Sequence, residues 1–216
     1  MTVLNPAPCN AKALSLPLAL IDILVLNEVE GQQMAAYHRD AHPKNASQSA
    51  TSATSTTSTT SGTAAKPTGN ALICELVRIV QTTLQQQAES QLGVRLIVLT
   101  LGGAGAICAL RDGAQWQTLA VPAWTGAALL DTTGAGDCFI GYLLQRLLAP
   151  DRGAAQESHV LAKEQVTLAL QQATIASGMA VSRMGAMDAV PQYEEVQQIM
   201  QTMSLSPSSS TWQTLA

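Results

Sequence analysis

The sequence predicts an α/β fold in which helices flank a mostly parallel sheet. Three observations carry that expectation. Short apolar runs of strand length alternate with longer stretches of helical periodicity. An Asp-Gly pair separates two further strand-like runs, the mark of a hairpin. A Gly-Ala-Gly segment opens one helical stretch, and sheets of this class place such turns at the carboxyl ends of their strands. The 216 residues suffice for one domain with a substantial core.

In chain order, Ile21–Leu26 is an apolar run of Ile, Leu and Val and reads as a buried strand. Asn27 follows, and Glu28–His38 reads as a helix. From Asn45 to Thr63 the chain is Ser, Thr and Ala and little else. Such a tract buries too little apolar surface to offset its ordering entropy, so an insertion over 45–66 is expected to be disordered. Gly69–Gln91 carries Leu72, Leu76, Ile79, Val80 and Leu84 at helical spacing and stops before Gly93. Arg95–Leu101 is the second buried strand. Ala106–Leu110 and Gln115–Leu119 flank the Asp112-Gly113 turn. A helix over Phe139–Leu148 is broken by Asp151-Arg152-Gly153. Helices over Val160–Val181 and Tyr193–Met203 follow. The expected organisation is one domain over residues 1–203 with a flexible tail over 204–216.

Composition narrows the function. Net charge is −4 without a Lys/Arg cluster, which argues against nucleic-acid binding. No apolar run approaches the ~20 residues that span a bilayer, and no signal-peptide pattern opens the chain. Cys9, Cys74, Cys108 and Cys138 are widely spaced and form no C-x-x-C pair. Free thiols in a reducing, cytoplasmic compartment are therefore expected.

Three motifs carry chemistry. Asp131-Thr132-Thr133-Gly134-Ala135-Gly136-Asp137 places small residues and two carboxylates at a helix start. The backbone N–H groups of Gly134, Ala135 and Gly136 are expected to be free donors for an anion, with Asp137 among them where the helix dipole favours its ionised form. Thr100-Leu101-Gly102-Gly103-Ala104-Gly105 ends a strand with glycines that let backbone approach a ligand. Asn27-Glu28-Val29-Glu30 also follows a strand. It fits either a water-rich Mg²⁺ site or a capping-box variant with Asn27 as N-cap and Glu30 at N3. His38-Arg39-Asp40 followed by Asn45 has the spacing of a protein-kinase catalytic loop, but no D-F-G or V-A-I-K accompanies it. His38 and His42 lack the partner that a zinc site needs. Asn45-Ala46-Ser47 is a glycosylation sequon in form only.

In this order the motifs resemble the ribokinase-like (phosphofructokinase-B type) sugar kinases, with the ribokinases nearest among them. Leu4–Pro8 looks like the stretch before the family's N-x-x-E motif, which Asn27 and Glu30 fill. Thr100–Gly105 fits T-L-G-x-x-G, and Asp131–Asp137 fits D-T-x-G-A-G-D. Ala180–Ala186, Pro191 and Glu194-Glu195-Val196 look like its C-terminal ending. The resemblance covers about residues 1–200 apart from the insertion. It implies an ATP-dependent kinase acting on a primary hydroxyl of a sugar, with a pentose, ribose, first.

The resemblance also implies residue roles. Asp137 would be the base that meets the sugar hydroxyl, and Gly134, Ala135 and Gly136 the anion hole. Asn27 and Glu30 would serve the Mg²⁺–phosphate region, and Thr100, Leu101, Gly102, Gly103, Ala104 and Gly105 the nucleotide site. A monovalent cation (K⁺) would be held by Asp131, Thr133 and the carbonyls of Ala180, Arg183 and Gly185. Ala189 and Thr174 depart from the Ser and Asn common in ribokinases. The family's sugar-binding N-terminal half and lid have no counterpart in these residues. That leaves a second expectation: an inactive nucleotide-binding module, or a fragment that works beside a partner. Other sugars and nucleosides also remain open as substrates, and so does a homodimer in the complete protein.

Overall fold

The computed structural model describes residues 1–41, 69–86, 93–149, 161–205 and 211–215. The chain opens with a short strand, β1 (Val3–Leu4), and a one-turn helix, α1 (Ala11–Leu14), capped by the Asn10 side chain. Then come β2 (Ile23–Asn27), α2 (Glu28–Ala41), α3 (Gly69–Gln86) and β3 (Leu96–Thr100). The hairpin strands β4 (Ala106–Asp112) and β5 (Gln115–Val121) follow. Helices α4 (Ala135–Leu148), α5 (Lys163–Ala180) and α6 (Tyr193–Thr202) precede a last strand, β6 (Gln213–Thr214).

The strands form one sheet in the order β1-β2-β3-β4-β5-β6. Successive side chains of a strand point to opposite faces, and here each face meets its own pair of helices. Leu24, Leu26, Ile97 and Leu99 pack with Met34 of α2 and with Leu72 and Leu76 of α3. Ile23, Val25, Leu96 and Val98 pack with Phe139 and Leu143 of α4 and with Val166 and Leu170 of α5. Burial on both faces explains why β2 and β3 read as continuous apolar runs rather than alternating ones. Each such Leu or Ile contributes about 1.5–3 kcal/mol on burial. The end of α5 and the start of α6 add a smaller core around Ile175, Met179 and Val196.

The expected α/β architecture is present, with a mixed rather than mostly parallel sheet. β1–β2 and β2–β3 pair in parallel. β3–β4, β4–β5 and β5–β6 are antiparallel. The hairpin turn returns the chain at once, so β5 runs in the same direction as β3 without a crossover helix.

Residues 211–215 of the tail are described. Residues 213–214 pair with β5, Leu215 N–H donates to Trp116 O (2.9 Å), and Trp212 Nε1 donates to Thr167 Oγ1 (3.2 Å). Helix α4 starts at Ala135 rather than Phe139, and α2 continues to Ala41. The Ser/Thr insertion, the helix over 87–91, the Asp151–Gly153 break, Val160, His42 and the sequon lie outside the described residues.

Candidate active site

One end of the sheet gathers the three motifs. Asn27 and Thr100 are the last residues of parallel strands and are register partners. β5 is parallel in direction to β3, so the chain leaves Val121 at that same end. Gly105 fixes the crossing there. Its φ is +94°, and a Cβ on it would lie 2.1 Å from Val121 O and 2.5 Å from Ala123 N. No other residue fits such a backbone contact. The chain then runs along the end of α5, where Trp124 packs on Gly178. The Leu130 and Asp131 N–H groups both donate to Val181 O, at 2.8 and 3.1 Å.

Asn27 and Glu30 form a reciprocal capping box at the start of α2. Glu30 N–H donates to Asn27 Oδ1 and Asn27 N–H to Glu30 Oε2, both at 2.9 Å. Glu30 is buried. Of the two sequence readings, the cap is the one visible in the geometry. One Glu30 carboxylate oxygen stays outside the cap, which suits an ion that keeps most of its waters. Among the described residues no three His, Cys, Asp or Glu side chains cluster so as to hold a metal ion.

The Thr100–Gly105 segment divides by residue. Thr100 Oγ1 donates to Leu26 O (3.5 Å) and Leu101 N–H to Gly105 O (2.8 Å), closing the turn on itself. Gly102–Ala104 form one 3₁₀ turn. A Cβ at Gly102 or Gly103 would meet nothing within 4 Å. Gly105 is thus required by the fold, whereas Gly102 and Gly103 border open space.

The Asp131–Asp137 turn divides the same way. Gly134 is the N-cap of α4 with φ +74°, and a Cβ on it would lie 3.2 Å from Ala186. Gly136 lies in the first helical turn, and a Cβ there would meet nothing within 4 Å. The expected three-donor cradle is corrected at Ala135, whose N–H donates to Thr132 O (3.2 Å). The Gly136 and Asp137 N–H groups precede the first intrahelical bond, Cys138 N–H to Gly134 O (2.9 Å). Asp137 is exposed, and its carboxylate enters no hydrogen bond or ion pair among the described residues. A free carboxylate beside open donors at a helix N-terminus suits an anion together with a proton acceptor.

Asp131 ties the turn to the segment after α5. Its Oδ1 accepts from Thr133 Oγ1 (2.7 Å) and Thr133 N–H (2.9 Å), and its Oδ2 accepts from Gly185 N–H (3.0 Å). The Thr133 hydroxyl, then the two backbone donors, hold its carboxyl below the usual range. Arg183 N–H donates to Ala180 O (3.0 Å). Hydrogen bonds thus link Asp131 directly to Thr133 and Gly185, while Arg183 is tied to Ala180 within the same segment.

Other expectations resolve simply. His38 makes an edge-on ring contact with its neighbour Tyr37 in α2 at 5.5 Å, and Arg39 pairs with Glu75 of α3 at 3.5 Å. All four cysteines are free. Burial raises the Cys108 thiol to about 12 and Cys138 to about 11, which makes them poor nucleophiles. Among the described residues no helix is long and apolar enough to cross a membrane.

A family model described as pfkB family carbohydrate kinase matches residues 72–193, more than half of the chain. The chain belongs to the pfkB family of carbohydrate kinases. Kinases of this family are phosphotransferases with alcohol acceptors. Ribokinase of Staphylococcus aureus (strain COL) is 27% identical over 204 residues, taking in 92% of this chain and 47% of the relative. A ribokinase structure from Giardia lamblia superposes with a TM-score of 0.60 at 23% identity, covering 93% of this chain and 50% of that one. One from Cryptococcus neoformans var. grubii serotype A, in complex with ADP, gives 0.57 at 24% identity, with coverage of 92% and 52%. The chain thus spans about half the length of the relatives it matches, and at these identities the two structures speak to fold. The matched region takes in the Thr100–Gly105 and Asp131–Asp137 motifs.

One contact of the segment after α5 was not expected from the sequence. Arg183 forms a two-pronged ion pair with Glu195, Nη2 to Oε1 at 2.6 Å and Nη1 to Oε2 at 3.3 Å. Gln192 and Glu195 form a second capping box, at the start of α6. The Gln-x-x-Glu spacing before an apolar helix was the available signal. Tyr142 OH donates to Pro191 O (2.7 Å), tying α4 to the same segment.

Proposed function

We infer that this chain carries the nucleotide-binding and base-bearing part of an ATP-dependent carbohydrate kinase. The acceptor is a primary hydroxyl of a pentose, with ribose first. The observation that carries the reading is the start of α4. Gly136 borders open space, Asp137 is free beside it, and both lie in the first turn of a helix. The ADP bound to the Cryptococcus relative supports a nucleotide as the occupant.

In this reading Asp137 accepts the proton of the attacking hydroxyl. The Gly136 and Asp137 amides stabilise charge that develops on the transferred phosphoryl group. Phosphoryl transfer depends mostly on positioning and charge stabilisation, and one preorganised donor is typically worth ~3 kcal/mol of barrier. Gly102 and Gly103 border the nucleotide at the neighbouring turn. Glu30 would serve a Mg²⁺–phosphate unit through its uncapped oxygen, with water completing the ion's shell. Asp131, Thr133 and the carbonyls of Ala180, Arg183 and Gly185 would hold a monovalent cation that stiffens the turn.

The test is ADP release with ATP and a panel of sugars. Asp137→Asn should lower kcat by at least about 10²-fold while nucleotide still binds. A near-normal rate in that variant would remove Asp137 from the role of base. The exposure of Asp137 and Gly136 favours a second reading, a nucleotide-binding module that works beside a partner. ATP binding without turnover on any sugar would select it.

A further inference from the structure

The segment between α5 and α6 touches the Asp131–Asp137 turn at three places. Val181 O accepts from Leu130 and Asp131, Gly185 N–H donates to Asp131, and Ala186 lies against Gly134. Burial does not hold the stretch around Gly185. Residues 184–188 are all exposed, with Met184 and Met187 at 72% and 88%, and the buried residues of the segment, Ala189 and Pro191, come only after them. Over 184–188 the backbone has no buried side chain to anchor it, so a polar restraint is what keeps Gly185 aimed at Asp131. The two-pronged Arg183–Glu195 pair provides one, two residues before Gly185. Glu195 is itself fixed, because its Oε2 also accepts from Gln192 N–H at 2.7 Å. Arg183 holds Glu195 below the usual carboxylate range, so the pair is charged at neutral pH.

We propose that Arg183 and Glu195 are positioning residues for the anion turn. They hold the 183–185 backbone so that Gly185 and Asp131 lock the start of α4 in its donor geometry. This rests on the kinase reading for its consequence, a bound nucleotide phosphate. The fork of Arg183 matters because a guanidinium fixes both direction and distance, which a point charge does not. Neither side chain touches substrate in this proposal.

Amide hydrogen exchange and ADP titration on the full chain test it together. Arg183→Leu should speed exchange at Thr133 and Gly185, the two amides bonded to Asp131, while amides inside α5 keep their rates. It should also weaken ADP binding roughly 2- to 30-fold, the range for changes that act through an intervening network. Arg183→Lys should recover part of both effects. Glu195→Gln, which keeps the cap at N3, should resemble Arg183→Leu. Glu194→Gln should change neither. Unchanged exchange in Arg183→Leu, or faster exchange with ADP affinity untouched, would overturn the proposal. Failure of the unsubstituted chain to bind ADP would count against the kinase reading, and the exchange data would then decide the clamp alone.

Discussion

A methyl group added at Gly134 would come within 3.2 Å of Ala186, whereas one added at Gly136 would meet no atom within 4 Å. The two glycines stand in one motif and answer to different demands. Gly134 needs a left-handed backbone and room against Ala186, so Gly134→Ala should destabilise the chain by about 1–2 kcal/mol. Gly136 is already helical, so Gly136→Ala should stabilise it by about 0.5–1 kcal/mol. If the open space is the phosphate site, Gly136→Ala should nevertheless weaken nucleotide binding. Thermal unfolding and ADP titration of both variants check this. Loss of stability and unchanged affinity in Gly136→Ala would assign that glycine to the fold. The sequence motif alone could not separate the two roles, because it shows small residues but not what surrounds them.

At the scale of elements, β2 and β3 were legible because both faces are covered, which leaves unbroken apolar runs. β1 and β6 were not, because two-residue strands hold no periodicity and exist only through their partners. The start of α4 was placed late because Gly-Ala-Gly has loop propensity, while Gly134 in fact serves as a left-handed N-cap and the helix begins with the next residue. Asn27 and Glu30 were read as cap or metal site, and the cap is the part now visible. Substitution separates the roles. Glu30→Ala should cost about 1 kcal/mol through loss of the box. Glu30→Gln keeps an acceptor at N3 and should cost less, yet it should weaken Mg²⁺-dependent nucleotide binding. Equal Mg²⁺ dependence in Glu30→Gln and the unsubstituted chain would leave Glu30 with the cap alone.

At the scale of the whole molecule, topology gives the motifs their common address. Three strands of one direction end at one edge, and the Asn27, Thr100–Gly105 and Asp131–Asp137 motifs all follow from that edge. The order of motifs made this convergence legible. The mixed character of the sheet depended on a hairpin whose partners lie on both sides of it. The Arg183–Glu195 clamp was hidden because its residues are twelve apart and belong to a segment with no apolar pattern. The chain spans about half the length of the relatives it matches, and the proposed nucleotide site lies within that half. Backbone amide shifts during an ADP titration test it most directly. Saturable shifts at Gly136 and Asp137, joined by Gly102 and Gly103, are the predicted result. Saturable binding that leaves Gly136 and Asp137 unmoved, or no binding at all, would contradict it.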